Sequence, residues 1–555
     1  MIGWLLFVVT GCGRCGFQPD PGIKIVVPAM PTTLDWSTSD PNSWANYPVM
    51  LATLRGLTSL GDDNAVQPGL AQRWERELRP DGREVYTFHL RTDVKWSDGV
   101  TPLTAGDFVF GWRRAVRGRE RGEMLDVLGA EEVLRLLDSG APSAQVHRAV
   151  ESLGVEAIDP LTLRVTLGNP RNYFLSRLAN VYLFFPAPSR DLAGRSEEEI
   201  RDYFDRPRGD RPLSLGPYRV QSWDRAGERV RLVQDPSSAL APAIGAGEAP
   251  APVVTLMKSE VGPALYDRGR VDFVFIDSAV ALKEERPADL RRRELLSTYF
   301  LAFNTLRAPL DRVEVRRAIG MALDRGVLLE GLLPQARLAC GLLPPGLLGA
   351  HELAEHGCGA AGSDPKTKTL ELLQFASELR RPLRLVYRAG ESFIPEVAIA
   401  ERIKSQLARV GVPVELEARY DFSAEIARIA SDGFPAPDLY LRRIGADYAH
   451  PKTFSTFFER GGNHYTGWEK LAGGEIVRRF ETILKQADAQ PEPSAAAALY
   501  SQAERILLEE AAVIAPIYHP DRYYRVHPSL VGLQVDPFNF LSLRELRLRG
   551  ALDRR

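Results

Sequence analysis

A chain of 555 residues that is 45% hydrophobic and 26% charged has the make-up of a folded globular protein, long enough for several average domains or one large multi-lobed unit. Its 70 basic and 72 acidic residues leave a formal net charge of -2, so it lacks the basic footprint that binds a phosphate backbone, and nucleic acid is excluded as an expected partner. The 46 glycines and 40 prolines are dispersed through periodic sequence, without a collagen-like period or a long low-complexity tract.

The opening MIGWLLFVVTGC is too short to cross a bilayer, which takes about 20 apolar residues, and reads as an export signal. Val9-Thr10-Gly11-Cys12 resembles a bacterial lipobox, which implies cleavage before Cys12, lipid on Cys12, and a signal and tether over residues 1–22. No Lys or Arg precedes the apolar run, and a buried N-terminal strand is the alternative reading. Ile23–Val27 (IKIVV) then reads as a buried strand. A helical run is expected over 47–57 and a short helix over 70–74. Asp81-Gly82 marks a turn before a strand over 85–90, VYTFHL. Trp96-Ser97-Asp98-Gly99 is another turn, and Thr104 with Asp107 makes a capping box in front of a helix over 105–116.

Farther along, 162–167 alternates like a half-buried strand, and 218–220 and 230–233 suit an antiparallel pair. The Ala/Gly/Pro-rich 239–252 reads as a surface loop, as does 359–366. Strands are expected over 271–275 and 299–303, and Asp311 with Glu314 gives a second capping-box-like start to a helix carrying Val315, Ile319, Ala322 and Leu323 on one stripe. A strand over 383–387, a helix over 395–408 and a strand over 412–416 form a β-α-β unit, typical of an open α/β lobe. A long helix over 495–510 precedes a strand over 513–518 broken by Pro516.

Cys340 and Cys358 enclose a Pro- and Gly-rich loop. In an exported protein they are expected to form a disulfide; a metal site with His351 and His356 is the other reading, although neither the histidine nor the cysteine spacing suits zinc. Dense catalytic motifs are absent from the sequence: no G-x-G-x-x-G after a strand, no P-loop, no H-E-x-x-H and no G-x-S-x-G. The eight histidines are scattered, and no carboxylate pair stands out, so no catalytic residue, no metal and no cofactor is expected.

Several stretches together resemble the bacterial extracellular solute-binding proteins of family 5, the dipeptide-, oligopeptide- and nickel-binding components of ABC importers. They are Gly56-Leu57-Thr58 with Val66-Gln67-Pro68-Gly69-Leu70-Ala71 and Trp74, then Tyr86-Thr87-Phe88-His89-Leu90-Arg91 through Val94-Lys95-Trp96-Ser97-Asp98-Gly99 and Pro102-Leu103-Thr104-Ala105-Gly106-Asp107-Phe108-Val109. Gly216-Pro217-Tyr218, Gly269-Arg270-Val271-Asp272, Phe303-Asn304, Val313-Glu314-Val315-Arg316-Arg317-Ala318, Ala322-Leu323-Asp324-Arg325, Gly445-Ala446-Asp447-Tyr448 and Pro516-Ile517-Tyr518 follow in family order.

That resemblance implies an α/β, periplasmic binding protein-like fold of the class II, cluster C type, with two main lobes, a hinge and an inserted subdomain. Lobe I would comprise 23–60, 215–295 and 517–555, the inserted subdomain 61–214, and lobe III 296–516. The protein would bind a peptide between the lobes and deliver it to a membrane permease driven by a separate ATPase. It would work as a monomer, lipid-anchored in the periplasm or on the extracellular face of a bacterial membrane, and it would not be an enzyme. Other solutes of the class (nickel chelate, haem, an opine, an oligosaccharide), a non-transport sensor or scaffold, and an enzyme are the competing readings.

In peptide-binding members the residue matching Asp447 salt-bridges the ligand's α-amino group; Arg442 and Arg443, just upstream, either meet the ligand's carboxylate or face solvent. Thr32, Thr33 and Leu34 match the strand end that lines the cleft, where an extended ligand could pair with the backbone. Oligopeptide members carry a Trp three residues before the Asp, where this chain has Ile444, and the 234–238 loop is also rewritten. Asp98 and Asp107 read as turn and cap acceptors, and Arg316-Arg317 and Asp324-Arg325 as ties across the ends of the helix between them.

Overall fold

The computed structural model describes residues 22–38, 44–61, 63–119, 121–207, 209, 211–277, 288–333, 336–350, 379, 381–389, 395–420, 437–462 and 466–550. Two large sheets organise them. The first has seven strands in the order Leu290–Glu294, Asp521–Val526, Phe273–Ile276, Ile23–Val27, Val253–Lys258, Arg229–Gln234 and Tyr218–Asp224. Ile23–Val27 runs parallel to both its neighbours, and the remaining pairs are antiparallel. A central parallel strand is covered on both faces, which is why IKIVV is nearly continuous in apolar residues.

The second sheet has six strands in the order Arg337–Leu338, Ile514–His519, Ser297–Phe303, Leu439–Gly445, Leu383–Arg388 and Val414–Arg419. Leu383–Arg388 and Val414–Arg419 pair in parallel with the helix Glu396–Arg409 between them, as the β-α-β pattern predicts. One face of this sheet buries Ile319, Ile399 and Ile403 from two helices. The other buries Phe480, Leu484, Tyr500 and Ala503 from Glu475–Ala489 and Pro493–Arg505. A four-stranded antiparallel sheet (Ala71–Leu78, Glu84–Leu90, Thr162–Leu167, Val155–Asp159) carries the helix Ala105–Ala115.

The chain passes between the two large sheets twice within the described residues. Leu290–Glu294 is followed after two residues by Ser297–Phe303, and Ile514–His519 is followed after Pro520 by Asp521–Val526. Leu295 N–H donates to Pro520 O at 3.2 Å, so the two crossovers touch.

The family block is scaffold. Asp98 Oδ1 accepts the N–H groups of Val100 and Thr101, and Gly99 turns the chain at φ +74°. Asp107 closes the capping box with Thr104 and also accepts from Trp96 Nε1, Ser189 N–H and Ser189 Oγ. Gly56 has a steric reason: a Cβ there would lie 1.9 Å from Leu178 O.

Several local expectations give way to tertiary pairing. The expected helix over 70–74 is the start of the strand Ala71–Leu78, because the Gly82 turn brings it against Glu84–Leu90. The helix Val313–Ala322 starts at Arg312 without a side-chain cap bond, so the Asp311/Glu314 box does not form. Arg316 and Arg325 do tie that helix's ends, Arg316 donating to Leu310 O before it and Arg325 to Gly320 O and Leu323 O at its close, and they reach farther: Arg316 also donates to the Ala511 and Ala512 carbonyls and Arg325 to Pro516 O, pinning the helix to the strand Ile514–His519 and the turn before it. Pro516 does not break that strand but sits at a β-bulge opposite Phe300. The 239–252 loop includes a short strand, Glu248–Pro250, paired with Arg547–Arg549. Residues 1–21, with Cys12, and 351–378, with His351, His356, Cys358 and the 359–366 loop, lie outside the described residues. Cys340 is disulfide-bonded.

Candidate functional site

Asp447 stands two residues past the strand Leu439–Gly445, where the chain turns into the short helix Lys452–Thr456. Its N–H donates to Thr453 Oγ1 at 3.1 Å, and that hydroxyl lies 3.4 Å from Asp447 Oδ2. Its carbonyl lies 3.5 Å from Asn180 Nδ2, which comes from the segment carrying the four-stranded sheet. The residue is exposed to solvent. Desolvation by the protein packed around it pushes its carboxyl up to about 6, with the Glu123 charge adding to the rise and Thr453 and Arg177 opposing it.

The surroundings explain why no internal cation neutralises it. Arg177 is held by Glu123 and Asp126, each at 2.5 Å, and Arg171 Nε also reaches Asp126 at 2.9 Å. Burial alone would raise the Asp126 carboxyl, but Arg177 and Arg171 outweigh it and hold it low. Arg177 also lies over the rings of Tyr448 and Phe184, at 5.5 and 5.4 Å. Three carboxylates (Glu123, Asp126 and Asp447) thus share two guanidiniums, and Asp447 has no ion-pair partner among the described residues. Tyr173 stacks on Tyr448 at 5.9 Å, and Asn172 Nδ2 donates to the carbonyls of Ala487 and Gln490, so the segment around 171–180 closes against the second sheet's helices beside Asp447.

The other expected residues separate. Arg442 and Arg443 are neighbours on a strand and face opposite ways. Arg442 lies over the Phe457 ring at 4.9 Å, while Arg443 donates to Ser297 Oγ at 3.3 Å and faces Tyr518 and Glu396. Thr33 Oγ1 and Leu34 N–H both donate to Asp205 Oδ1 at 2.8 Å, and Thr32 N–H donates to Asn46 Oδ1 at 3.2 Å. Two N–H groups of the segment matched to the cleft-lining strand end are therefore already occupied. Arg522, Arg388 and Glu396, grouped around Arg443, carried no local sequence signal, because proximity across a crossover has no periodicity.

A cavity of about 610 Å³ lies elsewhere, among Arg195, Arg201, Arg206, Asp205, Asp202 and Arg225. Its charges pair with one another, Arg225 with Asp205 at 3.0 Å and Arg206 with Asp202 at 2.7 Å, in a broad open groove, as on a solvated surface. No group of three or more metal-ligating side chains occurs among the described residues.

The chain is 27% identical over 527 residues to the "Probable deoxycholate-binding periplasmic protein YgiS" of Escherichia coli, covering 94% of this chain and 92% of that one. It is likewise 27% identical over 512 residues to the "Periplasmic oligopeptide-binding protein OppA" of Salmonella typhimurium, covering 86% and 84%. The structure of the Escherichia coli murein tripeptide binding protein MppA superposes with a TM-score of 0.70 at 22% identity, over 95% of this chain and 98% of that chain, so the fold is the two-lobe α/β fold of periplasmic binding proteins. The profile described as "Bacterial extracellular solute-binding proteins, family 5 Middle" matches residues 65–466, and the chain belongs to that family.

Proposed function

We propose that this protein captures peptides outside the cytoplasm, in the cleft between its two large lobes, and hands them to an ABC permease powered by a separate ATPase. The observation that carries the reading is Asp447: a solvent-accessible carboxylate, in net acidic surroundings, with the neighbouring Arg177 guanidinium already taken by Glu123 and Asp126. A peptide's α-ammonium restores charge balance there, and removing either partner leaves the other unpaired. Relatives named as oligopeptide- and murein peptide-binding proteins support a peptide ligand over the other solutes of the class. The two short crossovers would serve as the hinge between the lobes bounded as above, and lipid on Cys12 would keep the protein beside its permease.

The test is mass spectrometry of ligand released by denaturing protein purified from its native envelope, alongside Asp447→Ala. Peptides from the wild type and few from the variant are expected. Another small molecule from both, with no peptide from either, overturns the peptide assignment.

A further inference from the structure

The helix Glu475–Ala489 is capped from another part of the molecule. Its last carbonyls have no donor within the helix and must find one elsewhere. Asn172 supplies three bonds: its N–H donates to Asp488 O at 2.9 Å, and its Nδ2 donates to Ala487 O at 2.9 Å and to Gln490 O at 3.0 Å. With Nδ2 facing two carbonyls, Asn172 Oδ1 is left buried without a hydrogen-bond partner. Turning the amide over would set oxygen against oxygen, so the carboxamide is specified at this position as a donor.

Each side of the contact is anchored in its own body. On one side, Arg171 N–H donates to Glu84 Oε2 at 2.8 Å, Thr58 Oγ1 to Leu175 O at 2.7 Å, and Tyr173 OH to Asp126 Oδ1 at 3.0 Å. On the other, Tyr500 OH donates to Asp488 Oδ1 at 2.6 Å, and Lys452 Nζ lies 3.2 Å from Asp488 Oδ2. Aromatic contact runs beside these bonds, Tyr173 lying 5.9 Å from the Tyr448 ring and 5.6 Å from His450. Tyr448 follows a strand of the second sheet, yet it is buried in the apolar cluster that holds Phe88, Phe174 and Phe184, not in either cluster of its own sheet. None of these residues belongs to a crossover, so the two bodies are joined at a second place, by contacts that can be made and broken.

We infer that Asn172 is the pin of a latch that holds the two lobes closed, and that it sets ligand affinity as a positioning residue without touching the ligand. This rests on the reading of the crossovers as a hinge. Opening hands the carbonyls of Ala487, Asp488 and Gln490 to water, so each bond has a small net worth and the latch is reversible. A ligand that closes the lobes gains these bonds together with its own contacts, which adds them to its affinity.

Ligand-stripped wild type, Asn172→Ala and Asn172→Asp are compared by hydrogen–deuterium exchange resolved to single amides and by small-angle X-ray scattering. The amide of residue 172, bonded to Asp488 O, reports opening directly. Loss of the two Nδ2 bonds in Asn172→Ala should speed its exchange by roughly fivefold to a hundredfold. Asn172→Asp sets a carboxylate against two carbonyls at a helix C-terminus, and should speed exchange further and enlarge the radius of gyration. Amides of the strand Ile23–Val27 should exchange as in the wild type, which separates opening from loss of fold; Asn172→Ala, the milder change, decides the matter if Asn172→Asp does not fold. Unchanged exchange at residue 172 overturns the latch. Faster exchange with unchanged scattering also overturns it, because the segment around 171–180 then frays alone. A randomised tripeptide pool should return expanded Asn172→Asp protein toward wild-type dimensions. If the latch opens as expected and the pool does not close it, the peptide reading falls and the latch stands.

Discussion

Asp447→Asn separates a binding residue from a structural one, because the two roles predict opposite effects on stability. The carboxyl, ordinarily near 3.8, lies near 6 in the folded protein. Between those values the folded state keeps a proton that the unfolded chain has released, so stability falls as pH rises through the window, and the penalty is complete above about 6. With full enclosure the penalty is about 3 kcal/mol. The residue is exposed to solvent, which screens the cost to about 1–2 kcal/mol. Asn keeps the shape and removes the charge. The ligand-free variant should therefore gain about 1–2 kcal/mol at pH 7.5 and nothing at pH 4, measured by urea unfolding. Its affinity for peptide should fall by about 2–5 kcal/mol, roughly thirtyfold to several thousandfold, by titration calorimetry. Wild-type affinity should itself weaken by about tenfold per pH unit below 6, as the carboxylate is protonated. A variant that loses stability at pH 7.5 while binding peptide as the wild type does would refute the reasoning.

Three further outcomes follow from the same structure. Glu504 is buried, accepts the N–H groups of Leu342 and Leu343 beside Cys340, and has its carboxyl pushed from 4.5 to about 7 by burial. Its share of stability is therefore present below 4.5 and lost as pH rises through 7, so Glu504→Gln should remove about 3 kcal/mol of the decline in stability between pH 5 and pH 8; an unchanged pH profile contradicts this. Arg177→Met leaves Asp126 buried and charged with one partner fewer, and should cost about 3–5 kcal/mol by chemical unfolding. Gly56→Ala drives a methyl into Leu178 O and should cost about 1–3 kcal/mol or more, whereas Gly99→Ala, with open space around it, should feel only its positive φ.

Much of the architecture was legible in the chain itself. IKIVV announced a buried strand, Thr104 and Asp107 a capped helix, and the apolar pattern over 383–416 a β-α-β unit, because each is written in the apolar and capping pattern of a short local run. The block around Trp96-Ser97-Asp98-Gly99 identified the family, and in that context Gly445-Ala446-Asp447-Tyr448 singled out one carboxylate. Local pattern failed where long-range pairing overrode it, as in the edge strand Ala71–Leu78, and where the partner was remote, as with Arg316 and the carbonyls of Ala511 and Ala512. Tertiary structure alone decided that Arg442 and Arg443 part company and that Glu123 and Asp126 claim Arg177, leaving Asp447 without an ion-pair partner among the described residues. The physical reason is that hydrogen bonding and apolar periodicity fix elements locally, whereas the charge balance of a cleft depends on which distant segments the sheets bring face to face.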